Sequence, residues 1–336
     1  MKLLLVTQKA DRNDYILGFF HRWMEEFAKH VDQLTIVAQA TGDYSLPQNV
    51  QVLSLGKEQG RSRLSQILQF WRLLFRLRDS YDCVLVHMTP IWVLLGWPLW
   101  FLLRKPVFLW YEIRRGSSRL SLALLCVRKV FSATARGLPY SHHKQVVLGH
   151  GINTAVFTPA PDRREEALVA AVGRITRSKR YDVILRAFAG LPEVCRLCIA
   201  GGTVTAADQE EKTSLDQLAR ELGIARRVEV SWVEPEHIPA LLRRASLVLH
   251  ACVGGLDKVV LEAMACGTPV VSTSEAAKDI LPRVCLARPD TLADHARRIL
   301  SLSSDERAVL ARDLRQRVVD GHALPRLIER LVQEMQ

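Results

Sequence analysis

Short apolar runs alternate with longer helical patterns along this chain of 336 residues. The first half opens on the run KLLLV, and residues 16–27 then place apolar side chains at three- and four-residue spacing, which is typical of an amphipathic helix. The runs QLTIVA, VQVLSL, YDCVLVHM and VFLWYE follow. Strands separated by helices favour parallel βαβ units, so this half is predicted to form a doubly wound sheet.

The second half repeats the alternation. Its predicted strands are ALVAAVGR, CRLCIAGG, RVEVSWV, SLVLHA and TPVVST, and YDVILRAFAGL is a predicted helix. Glycine, proline and charge cluster at the join, near residues 150–168. We therefore predict an α/β protein with two facing Rossmann-like domains, residues 1–155 and 156–318, and a last helix within 319–336 that packs back on the first domain.

Charge is distributed unevenly between these halves. The net charge is +11, yet residues 1–150 alone hold 20 Lys and Arg against 10 Asp and Glu. Such a one-sided field attracts an anionic partner, such as an acidic membrane surface or a charged substrate. The chain contains no helix-turn-helix, zinc-finger or RNP pattern, so nucleic acid is not the partner expected. Its seven scattered cysteines and the short apolar run at its start fit a cytoplasmic protein.

Two apolar segments of the first half have two interpretations each. Residues 90–111 carry four of the seven Trp, but their unbroken apolar core is shorter than the about 20 residues of a spanning helix. This segment is either a buried helix leading into a strand or an interfacial surface. Residues 61–78 form an amphipathic helix rich in arginine, which fits a helix packed on the sheet or a contact with the inner face of a membrane.

The chemistry-bearing residues lie in two loops of the second half. In the first, Gly173 turns the chain after a strand, and Arg174 and Lys179 precede a helix. Two cations on such a loop can converge on a diphosphate. The alternative is a solvated basic loop.

The second loop precedes another helix. Gly254 and Gly255 allow close approach of a ligand, and a helix beginning near Leu256 would turn its N–H groups towards a phosphate. Glu262 lies inside this helix, where a carboxylate can accept both hydroxyls of a ribose.

The stretches VGRITRSKRYDVILRAF, IAGG, VVLEAMACGTPVVST and GHGINTAVFTP together resemble family 4 of the retaining glycosyltransferases, which have the GT-B fold. The resemblance implies that Arg174 and Lys179 bind the donor diphosphate and that Glu262 binds the ribose. It also implies that the segment around Ser231 and Val233 lies near the base and that no metal or other cofactor is needed. The active site would lie in the cleft between the two domains.

The chain departs from the family pattern in the residues expected around the reacting centre. A second Glu is usual eight residues before the ribose-binding one, but Gly254 stands there. Either the backbone of Gly255 and Leu256 holds the sugar, or Asp257 or Lys258 substitutes, or the activity is altered. The usual histidine of the first domain is also missing. Glu112 ends a predicted strand and could accept the acceptor proton, or it could pair with Arg114 or Arg115. The candidates on the acceptor side are Asp14, Tyr15 and His87.

The resemblance implies a hexosyltransferase of cell-surface glycan synthesis. It would move a sugar from a nucleoside diphosphate sugar to a saccharide or lipid-linked acceptor with retention. The same fold also serves UDP-N-acetylglucosamine 2-epimerases, and a non-catalytic nucleotide-sugar-binding protein is a further alternative.

Overall fold

The computed structural model describes residues 1–14, 16–113 and 116–336. The chain divides into two compact units, Met1–Gly151 together with Leu324–Gln336, and Ile152–Ala323. The boundaries predicted from the sequence are 155/156 and 318/319. The difference has a local cause, because the Ile152 N–H donates to the His322 carbonyl oxygen at 2.6 Å and so joins residue 152 to the second unit.

The first unit contains a parallel sheet of seven strands in the order β3-β2-β1-β4-β5-β6-β7. The strands are β1 Lys2–Ala10, β2 Gln33–Thr41, β3 Val50–Ser54, β4 Cys83–His87, β5 Val107–Trp110, β6 Lys129–Ser132 and β7 Gln145–Val147. The helices of this part of the chain are α1 Gly18–His30, α2 Arg63–Leu77, α3 Pro90–Leu102 and α4 Ser118–Cys126.

The second unit contains a parallel sheet of five strands in the order β10-β9-β8-β11-β12. Its strands are β8 Glu165–Val172, β9 Arg196–Ala200, β10 Val228–Ser231, β11 Ala245–His250 and β12 Val270–Ser272. Its helices are α5 Tyr181–Ala189, α6 Ala206–Glu221, α7 Ile238–Arg244, α8 Lys258–Ala265, α9 Leu292–Leu300 and α10 Ser304–His322. The final helix, α11 Leu324–Met335, belongs to the first unit.

Both faces of the first sheet are covered by helices, as a doubly wound sheet requires. One face packs against α1 and α11, with Trp23, Phe27, Leu327 and Leu331 fully or almost fully buried. The other face packs against α2, α3 and α4. Alternate residues of each central strand point to opposite cores, so Leu3 and Leu5 of β1 join the first and Leu4 and Val6 join the second.

Helix α2 packs on the sheet through only part of its apolar surface. Leu64, Leu68, Trp71 and Phe75 are exposed. The helix instead buries Phe70, Leu73, Leu74 and Leu77. It therefore carries two apolar stripes, and only one of them belongs to the core.

The Trp-rich segment forms α3 followed by the central strand β5, which agrees with the interpretation as a helix leading into a strand. Trp92 and Trp100 are buried, and the Trp100 indole N–H donates to the Tyr81 hydroxyl at 3.0 Å. Among the described residues, the helices are all too short or too polar to cross a membrane.

Candidate functional site

Backbone from two neighbouring strands meets closely at the carboxyl edge of the second sheet. Gly173 follows β8 with φ of 140°, and its N–H donates to the Ala200 carbonyl at the end of β9. A Cβ on Gly201 would lie 2.0 Å from the Gly173 carbonyl oxygen, so only glycine fits there. The buried Tyr181 hydroxyl donates to that same oxygen at 2.6 Å and fixes the turn.

Arg174, the first predicted donor-site cation, is held by a carboxylate from α6. Its Nε donates to Asp208 Oδ2 at 2.8 Å and its Nη2 to Oδ1 at 3.2 Å. The Asp208 carboxylate also accepts the backbone N–H groups of Val204 and Thr205 at the start of α6. Arg174 is the main cause that lowers the pKa of Asp208, and these N–H donors add to it against the opposing effect of burial.

Lys179, the second predicted cation, is held by a carboxylate that immediately precedes α8. Its Nζ donates to Asp257 Oδ2 at 2.5 Å, and His250 Nε2 lies 3.0 Å from the same oxygen. His250 is in turn 2.8 Å from the Ser272 hydroxyl through Nδ1. Burial alone would raise the pKa of Asp257, but the hydrogen bond to His250 and the charge of Lys179 outweigh it and lower that pKa.

The two predicted loops are joined to each other. The Val253 N–H donates to the Ser178 carbonyl at 2.9 Å, next to the Lys179–Asp257 pair. Gly254 has φ of 131°, a conformation that side chains rarely adopt, and no atom lies within 4 Å of where its Cβ would be. A Cβ on Gly255 would also meet open space, whereas Leu256 is buried. The loop therefore leaves room beside the helix start.

Helix α8 begins at Lys258, just after the predicted start around Leu256–Asp257, with Asp257 as its N-cap. The Asp257 side chain makes no capping hydrogen bond to the helix, because it is turned towards Lys179 and His250. The helix dipole at this end attracts an anion, and its first turn is not blocked by its own N-cap side chain.

Glu262 lies one turn after Lys258 on α8, and both are half-buried. Burial raises the pKa of Glu262, the charge of Lys258 opposes this rise, and the charge of Asp257 adds to it. Burial also lowers the pKa of Lys258 against the charge of Glu262. A partly buried carboxylate with a raised pKa is a common feature of functional sites.

The segment predicted to lie near the base follows β10. Ser231 ends that strand, and its carbonyl accepts the Gly201 N–H at 2.9 Å. Trp232 is half exposed and covers Gly202, where a Cβ would lie 2.6 Å from the indole. Val233 is partly buried against the core. An exposed indole beside this carboxyl edge offers a stacking surface for a planar ring.

The candidates of the first unit are occupied by local contacts. His87 is buried, stacks on Phe20 with ring centroids 3.8 Å apart, and lies 3.3 Å from the Thr7 hydroxyl. Asp14 accepts the N–H groups of Ile16 and Leu17 before α1 and the ammonium of Lys9. Tyr15 lies outside the described residues.

Glu112 follows β5 and is bonded to the loop after β6. Its carboxylate accepts the Ala133 N–H at 2.6 Å and the Thr134 hydroxyl at 3.0 Å. Burial raises its pKa, and these bonds oppose the rise. The alternative pairing with Arg114 or Arg115 lies outside the described residues.

A set of possible metal ligands overlaps the Lys179 site. Atoms of His250, Cys252 and Asp257 lie within 4.8 Å of one another. The Asp257 oxygen in this set already meets the Lys179 ammonium, and burial raises the pKa of the Cys252 thiol to about 12. A cation bound there would have to displace Lys179 and a thiol proton, so this chemistry favours the lysine over a metal.

Sequence analysis missed Asp208 and His250 as parts of the site. The pattern TAAD at 205–208 predicts a helix start, and Thr205 and Asp208 do form a capping box. Nothing in that pattern shows that the Asp208 carboxylate also meets Arg174, because the partners are 34 residues apart.

The second unit matches a known protein family over most of its length. Residues 157–316, just under half of the chain, match the model of the family described as glycosyl transferases group 1. The D-inositol 3-phosphate glycosyltransferase of Mycobacterium marinum is 37% identical over 141 residues, which are 38% of this chain and 29% of that protein. The chain thus spans less than a third of the length of such relatives.

Similarity to solved structures extends over both units. Anabaena Alr3699/HepE, solved with UDP, aligns over 100% of this chain and 99% of its own with a TM-score of 0.78 at 17% identity. The same protein was also solved with UDP-glucose. The lipopolysaccharide outer core galactosyltransferase WaaB aligns over 99% of both chains with a TM-score of 0.70 at 16% identity. The fold is therefore GT-B, as predicted.

Proposed function

We propose that this protein is a glycosyltransferase that takes its sugar from a nucleoside diphosphate sugar. The observation that carries the proposal is the convergence of Arg174, Lys179 and the start of α8 at one carboxyl edge, with Glu262 one turn further on. Two cations and a helix N-terminus match the charge of a diphosphate, and a carboxylate matches the hydroxyls of a ribose. The group 1 match over residues 157–316 supports the same site.

The nucleotide that we propose is a uridine diphosphate. Support comes from Anabaena HepE, which shares the fold over the whole chain and was solved with UDP and with UDP-glucose. Trp232, beside Ser231 and Val233, offers a flat surface on which a base can stack. The transferred sugar would be a hexose.

Bond breaking between the anomeric carbon and the diphosphate oxygen leaves negative charge on the diphosphate. Arg174, Lys179 and the dipole of α8 would stabilise this charge without a metal ion or another cofactor. The acceptor hydroxyl then forms the new bond with retention, as in the family that the chain resembles. Glu112, whose pKa burial raises, is the proposed acceptor of the hydroxyl proton.

The acceptor that we propose is a saccharide or a lipid-linked saccharide of a cell-surface glycan. WaaB, which shares the fold, is a lipopolysaccharide outer core galactosyltransferase. The excess of positive charge in the first half of the chain would hold the protein, in the cytoplasm, against the anionic inner face of a membrane. Asp14, Tyr15 and His87 are the proposed acceptor-side residues.

The test is a titration of the purified protein with nucleoside diphosphates and their sugars, followed by thermal stability. UDP at a hundred times its Kd would stabilise the protein by about 2.7 kcal/mol. Arg174→Ala and Glu262→Ala should each remove most of that shift. Arg177→Ala is the matched control, since Arg177 lies in the same loop with its side chain almost fully exposed.

The outcomes separate the alternatives. No shift with any nucleotide would contradict the proposed donor site. Binding without turnover, with or without saccharide acceptors, would assign the protein to the non-catalytic nucleotide-sugar binders, for which the glycine at 254 is an argument. Epimerised sugar in place of a glycoside would identify an epimerase of the same fold.

A further inference from the structure

One face of the first sheet is covered by three helices that contain no acidic residue. Helices α2, α3 and α4 hold Arg63, Arg72, Arg76 and Arg119 and no Asp or Glu. All four arginines are exposed, and within the described part of the chain none of them forms an ion pair with a carboxylate. This face therefore presents uncompensated positive charge.

The same helices expose large apolar side chains that the core does not use. On α2, Leu64, Leu68, Trp71 and Phe75 follow one another at spacings of four, three and four residues and form a continuous stripe. Phe75 is 62% exposed, and the Arg78 guanidinium lies 4.8 Å from the centre of its ring. An apolar stripe flanked by arginines is the pattern of a helix that lies in a membrane interface.

Helices α3 and α4 continue this exposed apolar surface at their carboxyl ends. Phe101 and Leu102 end α3 and are mostly exposed, and so are Leu122 and Leu125 of α4. Phe101 packs against Trp97 with ring centroids 4.9 Å apart. The core packing of α3 and α4 does not require these side chains to be exposed. Large apolar side chains exposed to water also do not stabilise a monomer.

A groove of about 440 Å³ lies between the ends of α3 and α4. Trp97 and Phe101 form its apolar wall, and Arg104, Lys105 and Arg128 supply its charge. No carboxylate is among the residues that line it. The Lys105 ammonium donates to the Tyr81 carbonyl oxygen. The exposed Arg104 and Arg128 are therefore the main groups in the groove that can bind an anion.

The groove lies away from the predicted acceptor residues. It includes Val107, the first residue of β5, and Arg128, which precedes β6, so it opens at the amino edge of the sheet. His87 and Glu112 instead end or follow β4 and β5 at the carboxyl edge. A ligand in the groove would therefore not be the acceptor sugar.

We propose that the surface formed by α2, α3 and α4 docks on an anionic phospholipid bilayer, with a lipid phosphate held by Arg104 and Arg128 in the groove. The stripe of Leu64, Leu68, Trp71 and Phe75 enters the interface, and the unpaired arginines face the lipid headgroups. Both properties belong to the same face, and a bilayer satisfies them together. This inference deepens the membrane contact of the proposed function, but it requires neither the donor nor the transfer reaction.

Vesicle binding of the full chain without nucleotide tests this inference. We expect the protein to float with vesicles of equimolar phosphatidylglycerol and phosphatidylcholine, and to bind pure phosphatidylcholine vesicles at least about tenfold more weakly. Trp71→Ser with Phe75→Ser should lower the binding about tenfold or more, because two large apolar side chains are withdrawn from the interface. Arg104→Gln with Arg128→Gln should lower the preference for the anionic lipid, while the four exposed arginines of α2 and α4 retain part of it.

Matched controls come from the second unit. Arg226→Gln with Arg283→Gln removes the same charge from exposed positions there, and Val194→Ser with Val309→Ser removes exposed apolar side chains. Equal losses for the control and groove pairs would show a general charge effect and overturn the inference. Binding to neither vesicle would overturn it as well, and so would a concentration-dependent dimer that Trp71→Ser with Phe75→Ser abolishes. Donor binding is measured separately, so it can succeed or fail independently.

Discussion

Lys179 forms an ion pair with Asp257, in which Nζ and Oδ2 are 2.5 Å apart. A diphosphate would have to compete with Asp257 for this ammonium group. Asp257→Asn keeps the shape of the side chain and removes its negative charge, so the pocket becomes more attractive to a diphosphate. A unit charge about 4 Å away is worth about 4 kcal/mol at an effective dielectric constant of about 20, and screening by solvent and salt reduces this value. We expect UDP to bind about tenfold more tightly to Asp257→Asn, measured by isothermal titration calorimetry.

The control for this change is Asp182→Asn. Asp182 pairs with Arg180 next to the same loop, but both side chains are about 40% exposed, and solvent screens such a pair. UDP affinity should be unchanged there. Weaker UDP binding in Asp257→Asn would show that the carboxylate serves to orient Lys179 and does not compete with the ligand.

Glu262 should make nucleotide binding depend on pH. Its pKa is raised by burial, and only the ionised carboxylate accepts both ribose hydroxyls. Below its pKa the free protein carries a proton that binding must release, so affinity falls as pH falls. The fall should begin at a higher pH than for an ordinary glutamate, whose pKa is about 4.3. UDP titrations between pH 5 and 8, about one unit apart, would show a flatter profile for Glu262→Gln.

The sequence indicates which side chains of the candidate site can bind a nucleotide, but it does not indicate which residues pair with them. Arg174, Lys179 and Glu262 could be named as candidates because they follow a strand end or lie in a helix after a glycine-containing loop, and because these stretches resemble a known family. Their carboxylate partners could not, because contacts such as Arg174–Asp208 depend on how helices lie against the sheet. The surroundings of His87 could not be predicted either, because its stacking on Phe20 depends on how α1 packs on the sheet.

Among the elements, the turn after β8 depends on β9 for its shape. The Gly201 Cα lies so close to the Gly173 carbonyl that Gly201→Ala would force the two strand ends apart. Overpacking of this kind costs about 1–3 kcal/mol, so we expect that loss in urea denaturation together with weaker UDP binding. Gly321→Ala is the control, because its Cβ would meet open space inside α10, and Ala there should stabilise by about 0.5–1 kcal/mol.

Helix α2 shows what helical periodicity leaves undecided. Its sequence carries two apolar stripes, one with Trp71 and Phe75 and one with Phe70 and Leu73. Both have helical spacing, so the pattern predicts the helix correctly without deciding which stripe is buried. The contact with the sheet decides this, and that contact is not encoded within residues 63–77.

At the scale of the whole molecule, the last helix of the chain completes the core of its first half. Leu331 of α11 is fully buried in the cluster that also holds Trp23 and Phe27 of α1. Leu331→Ala should therefore destabilise the first unit by about 2–5 kcal/mol in urea denaturation. Val309→Ala, at an exposed position of α10, should change stability by less than about 0.5 kcal/mol. Equal effects of both changes would show that α11 adds little to that core.

The two-unit architecture was predictable because each half repeats strands and helices in the same order. The exact junctions were not, because Ile152 joins the second unit through a hydrogen bond to His322, far away along the chain. The junction at residue 323 could not be predicted either, because the pattern typical of a helix continues across it with little change in composition. In the structure α10 ends at His322 and α11 begins at Leu324.

The placement of α11 also sets an order of events during synthesis. A ribosome that has reached Ala323 has made the whole of the second unit but has not yet made the helix that covers Trp23 and Phe27. Until α11 has been made, the apolar surface of the first unit that α11 covers stays exposed. Chaperones that bind such surfaces would therefore be able to bind the nascent first unit until α11 leaves the exit tunnel.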